Sequence, residues 1–118
     1  MTERREPTVY LKDILDAIDK AESFVQGMSR EEFVSDDKTV FAVVRALEII
    51  GEAARQVPQE VRDRSPDIPW RSMAAMRDKL IHSYSGVNLE VVWKTLRDEL
   101  PGLRLRPLGR KALSESVG

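Results

Sequence analysis

The stretch DDKTVFAVVRALEIIGEAARQ, residues 36–56, decides the fold. Within it Val40, Val43, Val44, Leu47, Ile50 and Ala54 recur at three and four residues, the spacing that lines one face of an α-helix and that an alternating strand cannot produce. Pro58 ends this helix. Upstream, from Thr8, Leu11, Ile14, Leu15, Ile18, Ala21 and Val25 repeat the pattern until Gly27 offers a left-handed stop, which predicts a first amphipathic helix of about five turns. Between the two, Ser29-Arg30-Glu31-Glu32 has the form of a capping box, in which Ser29 and Glu32 satisfy each other's backbone N–H groups ahead of a short helix holding Phe33 and Val34. Downstream, Gln59 to Pro66 reads as a turn of helix or a loop, and Pro69 suits the first position of a third long helix closed by Gly86. Asn88 can cap a last helix carrying Leu89, Val92, Trp93, Leu96 and Leu100, which Pro101 should terminate. The expected fold is all-α, an antiparallel bundle of four to five helices over residues 1–103. Residues 104–118 form a basic tail, with Arg104, Arg106, Arg110 and Lys111 and no acid before Glu115. That tail reads as poorly ordered, with phosphate contact as its competing role.

A chain of 118 residues suits one domain. Its 19 Lys plus Arg against 20 Asp plus Glu give a formal charge of −1, which argues against a globally basic nucleic-acid binder but leaves room for a local basic cleft. No cysteine is present, so disulfides, thiolate metal sites and cysteine nucleophiles are excluded together. No apolar run approaches the ~18 residues of a membrane span, and no signal-peptide pattern follows Met1; the expected setting is cytoplasmic. The chain has a single histidine, so acid–base chemistry by imidazole near neutral pH must use His82.

Arg77, Asp78, His82 and Tyr84 cluster within eight residues near the end of the third long helix. Asp78 and His82 fall one turn apart on one face, so the carboxylate can orient or charge-stabilise the imidazole. Arg77 lies about 140° around an ideal helix from His82, and the two do not converge. Either the helix unwinds before Gly86 or a second chain completes the site. The plainer alternative makes His82 a cation favoured by the helix C-terminal dipole and the neighbouring charges ordinary surface residues. On the second long helix Glu48 and Glu52 lie one turn apart, where like charges repel. Arg45 and Arg55 can neutralise them along their own helix, or the carboxylates can meet a cation on a neighbouring helix, with Arg77 as the candidate. Gly51 between them would let that helix approach closely, at a cost of up to about 1 kcal/mol in helix propensity.

Arg77-Asp78-Lys79-Leu80-Ile81-His82-Ser83-Tyr84 fits the R-x4-H-x-Y signature of HepT-like toxins, a branch of the HEPN ribonuclease superfamily. Arg45 to Ala54 resembles that family's second long helix, Ile68-Pro69-Trp70 its approach to the motif helix, and Gly86 to Trp93 the stretch after it, so the resemblance covers roughly Val9 to Leu103. It implies a HEPN-type homodimer that brings the motif helices of both subunits to a shared cleft. It also implies metal-independent RNA cleavage by the ribose 2′-hydroxyl, with no cofactor, in which His82 serves as general base or acid and Arg77 binds the phosphate. Asp78, Glu48 and Glu52 would support these two. Tyr84 matches the tyrosine that a cognate nucleotidyltransferase antitoxin modifies with AMP. Ser83 and Ser85 sit where the family can carry aromatic or charged residues. The competing class is a non-catalytic HEPN module that binds a nucleotide, RNA or the nucleotidyltransferase.

Overall fold

In the computed structural model, which describes residues 7–82 and 88–103 and the side chains of 9–77 and 88–102, every regular element among the described residues is helical. The elements are α1 (Pro7–Phe24), α2 (Arg30–Val34), α3 (Asp37–Gln56), α4 (Gln59–Asp63), α5 (Trp70–His82) and α6 (Leu89–Lys94), followed by a π-helical turn (Thr95–Glu99) and α7 (Leu100–Leu103). The last three run on without a break and make the fourth long helix.

Local chemistry sets most boundaries. Gly27 takes φ +79°, a conformation that a β-carbon would strain, and so turns the chain after α1. The capping box at α2 closes in both directions: the Glu32 N–H donates to Ser29 Oγ at 3.1 Å and the Ser29 N–H to Glu32 Oε1 at 2.8 Å. Asp36 caps α3 by accepting the Thr39 N–H at 3.1 Å, and Asn88 caps α6 by accepting the Glu90 and Val91 N–H groups at 3.1 and 3.3 Å.

Two prolines behave differently from the sequence expectation. Helix α5 starts at Trp70, one residue later than expected, and Pro69 caps it by accepting the Met73 N–H through its carbonyl at 3.0 Å. The Trp70 indole N–H donates to Ser65 O at 3.0 Å, which ties the first turn to the preceding loop. Pro101 does not end the last helix, which continues to Leu103. A proline inside a helix crowds the carbonyl four residues back and offers it no N–H. Just before Pro101 the helix widens, and the Leu100 N–H donates five residues back to Thr95 O. The Gly86 stop and the tail from residue 104 lie outside the described residues.

Helix α3 is the centre of the fold, packed along both α1 and α5, while α2 bridges α3 and α6. Leu11, Ile14 and Ile18 of α1 meet Val43, Leu47 and Ile50 of α3 in one core that extends to Met73, Leu96 and Leu100, all within 2% of full burial. Burying each large aliphatic side chain contributes roughly 1.5–3 kcal/mol. Phe33, fully buried, stacks at a tilt on Trp93 with ring centroids 5.4 Å apart and so fastens α2 to α6.

The polar segment after Pro58 has a structural task. Arg62 on α4 reaches back to the C-terminal end of α3, donating from Nη2 to Ala54 O at 2.8 Å and Arg55 O at 3.1 Å, and from Nε to Val57 O at 3.0 Å. One guanidinium thereby serves three carbonyls at the negative end of the central helix. Arg62→Ala should lower the unfolding free energy by about 1–3 kcal/mol, since it removes charged donors from partly buried acceptors. Arg30→Ala, which breaks only an exposed ion pair to Glu90, should cost less than about 1 kcal/mol. Urea denaturation of both variants checks the contrast.

Candidate active site

The site begins with a missing side chain. Gly51 lies in the interior of α3, where helix propensity disfavours glycine, and it is buried against α5. A β-carbon at this position would lie 2.9 Å from Arg77 Cβ, 2.9 Å from the Arg77 backbone nitrogen and 3.1 Å from Met73 O. Two of these atoms are backbone and the third is bonded to it, so none can swing aside. Helices α3 and α5 touch at this crossing because residue 51 has no side chain.

Next along α3, Glu52 reaches across the crossing and its Oε2 lies 3.2 Å from Arg77 Nε. Both side chains keep solvent contact, at 54% and 37% exposure respectively, so the pair sits at a rim rather than in the core. Glu48 takes the other course: its Oε1 lies 3.9 Å from Nη1 of Arg45 on its own helix. Of the two carboxylates, only Glu52 is brought to Arg77.

Helix α5 stays α-helical through His82, its last residue. Arg77 and His82 therefore lie on one regular helix, five residues and about 140° apart, with Asp78 one turn before His82. The side chains of Asp78 and His82 and the whole of Tyr84 lie outside what the structure describes. The alternative in which the helix unwinds to bring Arg77 toward His82 does not apply to residues 77–82.

The open face of α3 continues from Glu52 toward the start of the helix. It forms a groove of about 520 Å³ with α1, floored by Ala17, Ala42, Ala46 and Ile49 and flanked by Asp13, Asp16, Lys20 and Arg45. A smaller recess of about 170 Å³, lined by Tyr10, Ile49, Glu52 and Ala53 among others, joins this groove to the ion pair. Phe24 lines the same groove and is 42% exposed. This face was not anticipated from the sequence, although Ile49, a large aliphatic residue off the buried stripe of α3, was a visible signal.

Fold and site together define a small all-helical protein built around an arginine–carboxylate pair that crosses from one long helix to another. The family model for "Ribonuclease HepT-like" matches residues 14–107. Among curated proteins, "Probable ribonuclease HepT" of Thermococcus cleftensis is 52% identical over 95 residues, covering 80% of this chain and 86% of the relative. "Putative RNase TTE0752" of Caldanaerobacter subterraneus subsp. tengcongensis is 45% identical over 97 residues, 82% of this chain and 87% of the relative. "Putative RNase MJ1216" of Methanocaldococcus jannaschii is 42% identical over 101 residues, 86% of this chain and 84% of the relative. No solved structure matches. The chain belongs to the ribonuclease HepT-like family.

Proposed function

We propose that this chain is a metal-independent endoribonuclease that acts as the toxin of a type VII toxin–antitoxin system in the cytoplasm, as a homodimer with its site in the cleft between subunits. The observation that carries the reading is the fixed cation: Arg77 is held at the α3–α5 crossing, five residues ahead of the only histidine, in a chain whose relatives are named as ribonucleases.

In the proposed reaction His82 removes the proton from a ribose 2′-hydroxyl, and the resulting oxyanion attacks the adjacent phosphorus. The P–O5′ bond breaks, a 2′,3′-cyclic phosphate remains, and a second His82 protonates the departing 5′ oxygen. Arg77 supplies the charge-assisted hydrogen bonds that stabilise the phosphorane, with Asp78 orienting His82 and with Glu52 supporting Arg77, while Glu48 stays with Arg45 on its own helix.

Two observations support a second copy. Positions 77 and 82 stand five residues, about 140°, apart around a regular α5, a geometry that two-fold symmetry would resolve by supplying the missing group from the other chain. The stripe Ala42, Arg45, Ala46, Ile49, Glu52, Ala53 and Gln56 is also positive toward its start and negative toward its end. Antiparallel pairing about Ile49 would set Arg45 beside the partner's Glu52 and cover the apolar floor of the groove. Regulation falls to Tyr84, two residues after His82. A cognate nucleotidyltransferase would let its hydroxyl attack the α-phosphorus of ATP and release pyrophosphate, placing negative charge and bulk beside the cleft.

Purified protein should cleave RNA in the presence of EDTA, and Arg77→Ala and His82→Ala should each lose about 100-fold or more. Cleavage surviving both substitutions would sink the assignment, and RNA retention without cleavage would favour a binding module. Sedimentation should give a dimer that Ile49→Arg converts to a monomer; a dimer unaffected by that change would rule out this face. With a cognate nucleotidyltransferase and ATP, the intact mass should rise by whole AMP units, and Tyr84→Phe should abolish the gain.

A further inference from the structure

We infer that Gly51 and Glu52 are the positioning residues for Arg77, Gly51 setting where its backbone lies and Glu52 setting which way its guanidinium faces. The inference rests on the reading of Arg77 as the phosphate-binding cation and extends it to two adjacent residues of another helix.

The case for Gly51 is steric. Carbon atoms in contact settle at about 3.5–4.0 Å, so a β-carbon placed 2.9 Å from both Arg77 Cβ and the Arg77 nitrogen would drive α5 outward by roughly half an ångström or more. That displacement acts at residue 77 itself. Glycine in a helix interior is an unfavourable choice in its own right, and here it permits the one separation that brings Arg77 within reach of α3.

The case for Glu52 is directional. An ion pair this exposed contributes little to folding. Its geometry nevertheless has a consequence, because the carboxylate engages Nε, the inner edge of the guanidinium. Among the described residues no other ion pair to Arg77 is present, and the outer edge, with its two Nη nitrogens, has the fork geometry that binds two phosphate oxygens together. A carboxylate on the outer edge would compete with RNA; one on Nε aims the fork.

The test uses the full chain and a fluorescently labelled mixed-sequence RNA oligonucleotide. Single-turnover rate constants at saturating enzyme and half-saturation concentrations are measured for wild type, Gly51→Ala, Glu52→Ala, Glu52→Gln, Arg77→Ala and the first two combined with Arg77→Ala. Thermal melts run alongside. Misplacing a catalytic group by about an ångström costs on the order of 100-fold, so Gly51→Ala and Glu52→Ala should lower the rate constant about 10- to 100-fold with half-saturation shifted less than about 3-fold. Glu52→Gln, which keeps an acceptor for Nε, should recover most of the loss. In the Arg77→Ala background neither substitution should cost more than about 2-fold, because nothing remains to position. Equal losses with and without Arg77 would overturn the inference, as would a folded Glu52→Ala with wild-type or faster cleavage. Should Gly51→Ala fail to fold, the Glu52 and Arg77 cycle decides alone. Wild-type cleavage by Arg77→Ala would overturn the reading of Arg77 itself, a result distinct from a failure of the positioning pair.

Discussion

The backbone contact between α3 and α5 at Gly51 is the constraint on which the rest of the site depends. Helices that carry side chains at their crossing usually stand 8–10 Å apart, axis to axis. Here a β-carbon at residue 51 would fall 2.9 Å from atoms of Arg77, so the two helices are locked in azimuth as well as in distance. That lock decides which of two equivalent carboxylates, Glu48 or Glu52, reaches the neighbouring helix. It also puts the arginine at the rim, where a large anion can approach, and not in the core.

The remainder of the fold holds α3 still. Its first turn is capped by Asp36 and its last turn is held by Arg62 from α4. Its apolar flank is packed against α1 as well as α5 in one shared core. A crossing that tolerates less than an ångström of movement requires a central helix fixed at both ends, and the polar segment after Pro58, unremarkable in composition, supplies one of those fixings.

Features decided within a few residues were legible in the sequence. The Ser29–Glu32 box, the Asn88 cap and the turn at Gly27 follow from chemistry that spans two or three residues, and each forms as the spacing predicts. Features set by distant partners were less so. Arg62 finds its acceptors five to eight residues back only once the chain has folded over at Pro58. Glu48 and Glu52 share a helical face, and no pattern in the sequence says which one the crossing angle favours. The open face between α1 and α3 was hidden for a similar reason, since periodicity identifies what α3 buries against its own chain and not what it leaves uncovered.

The π-helical turn has a consequence for how apolar spacing is read. Val92, Leu96 and Leu100 are all buried, yet they recur at intervals of four. Along a regular α-helix, at about 100° per residue, that interval drifts 40° each time and would fan the three side chains across 80°. Winding the second interval more loosely, at roughly 4.4 residues per turn, cancels most of the drift and keeps all three in line with the core. A strict repeat of four ahead of a proline is thus a periodicity of its own, intermediate between the α-helical repeat and its loosened form, and it marks where a helix absorbs an additional residue without turning its apolar side to water.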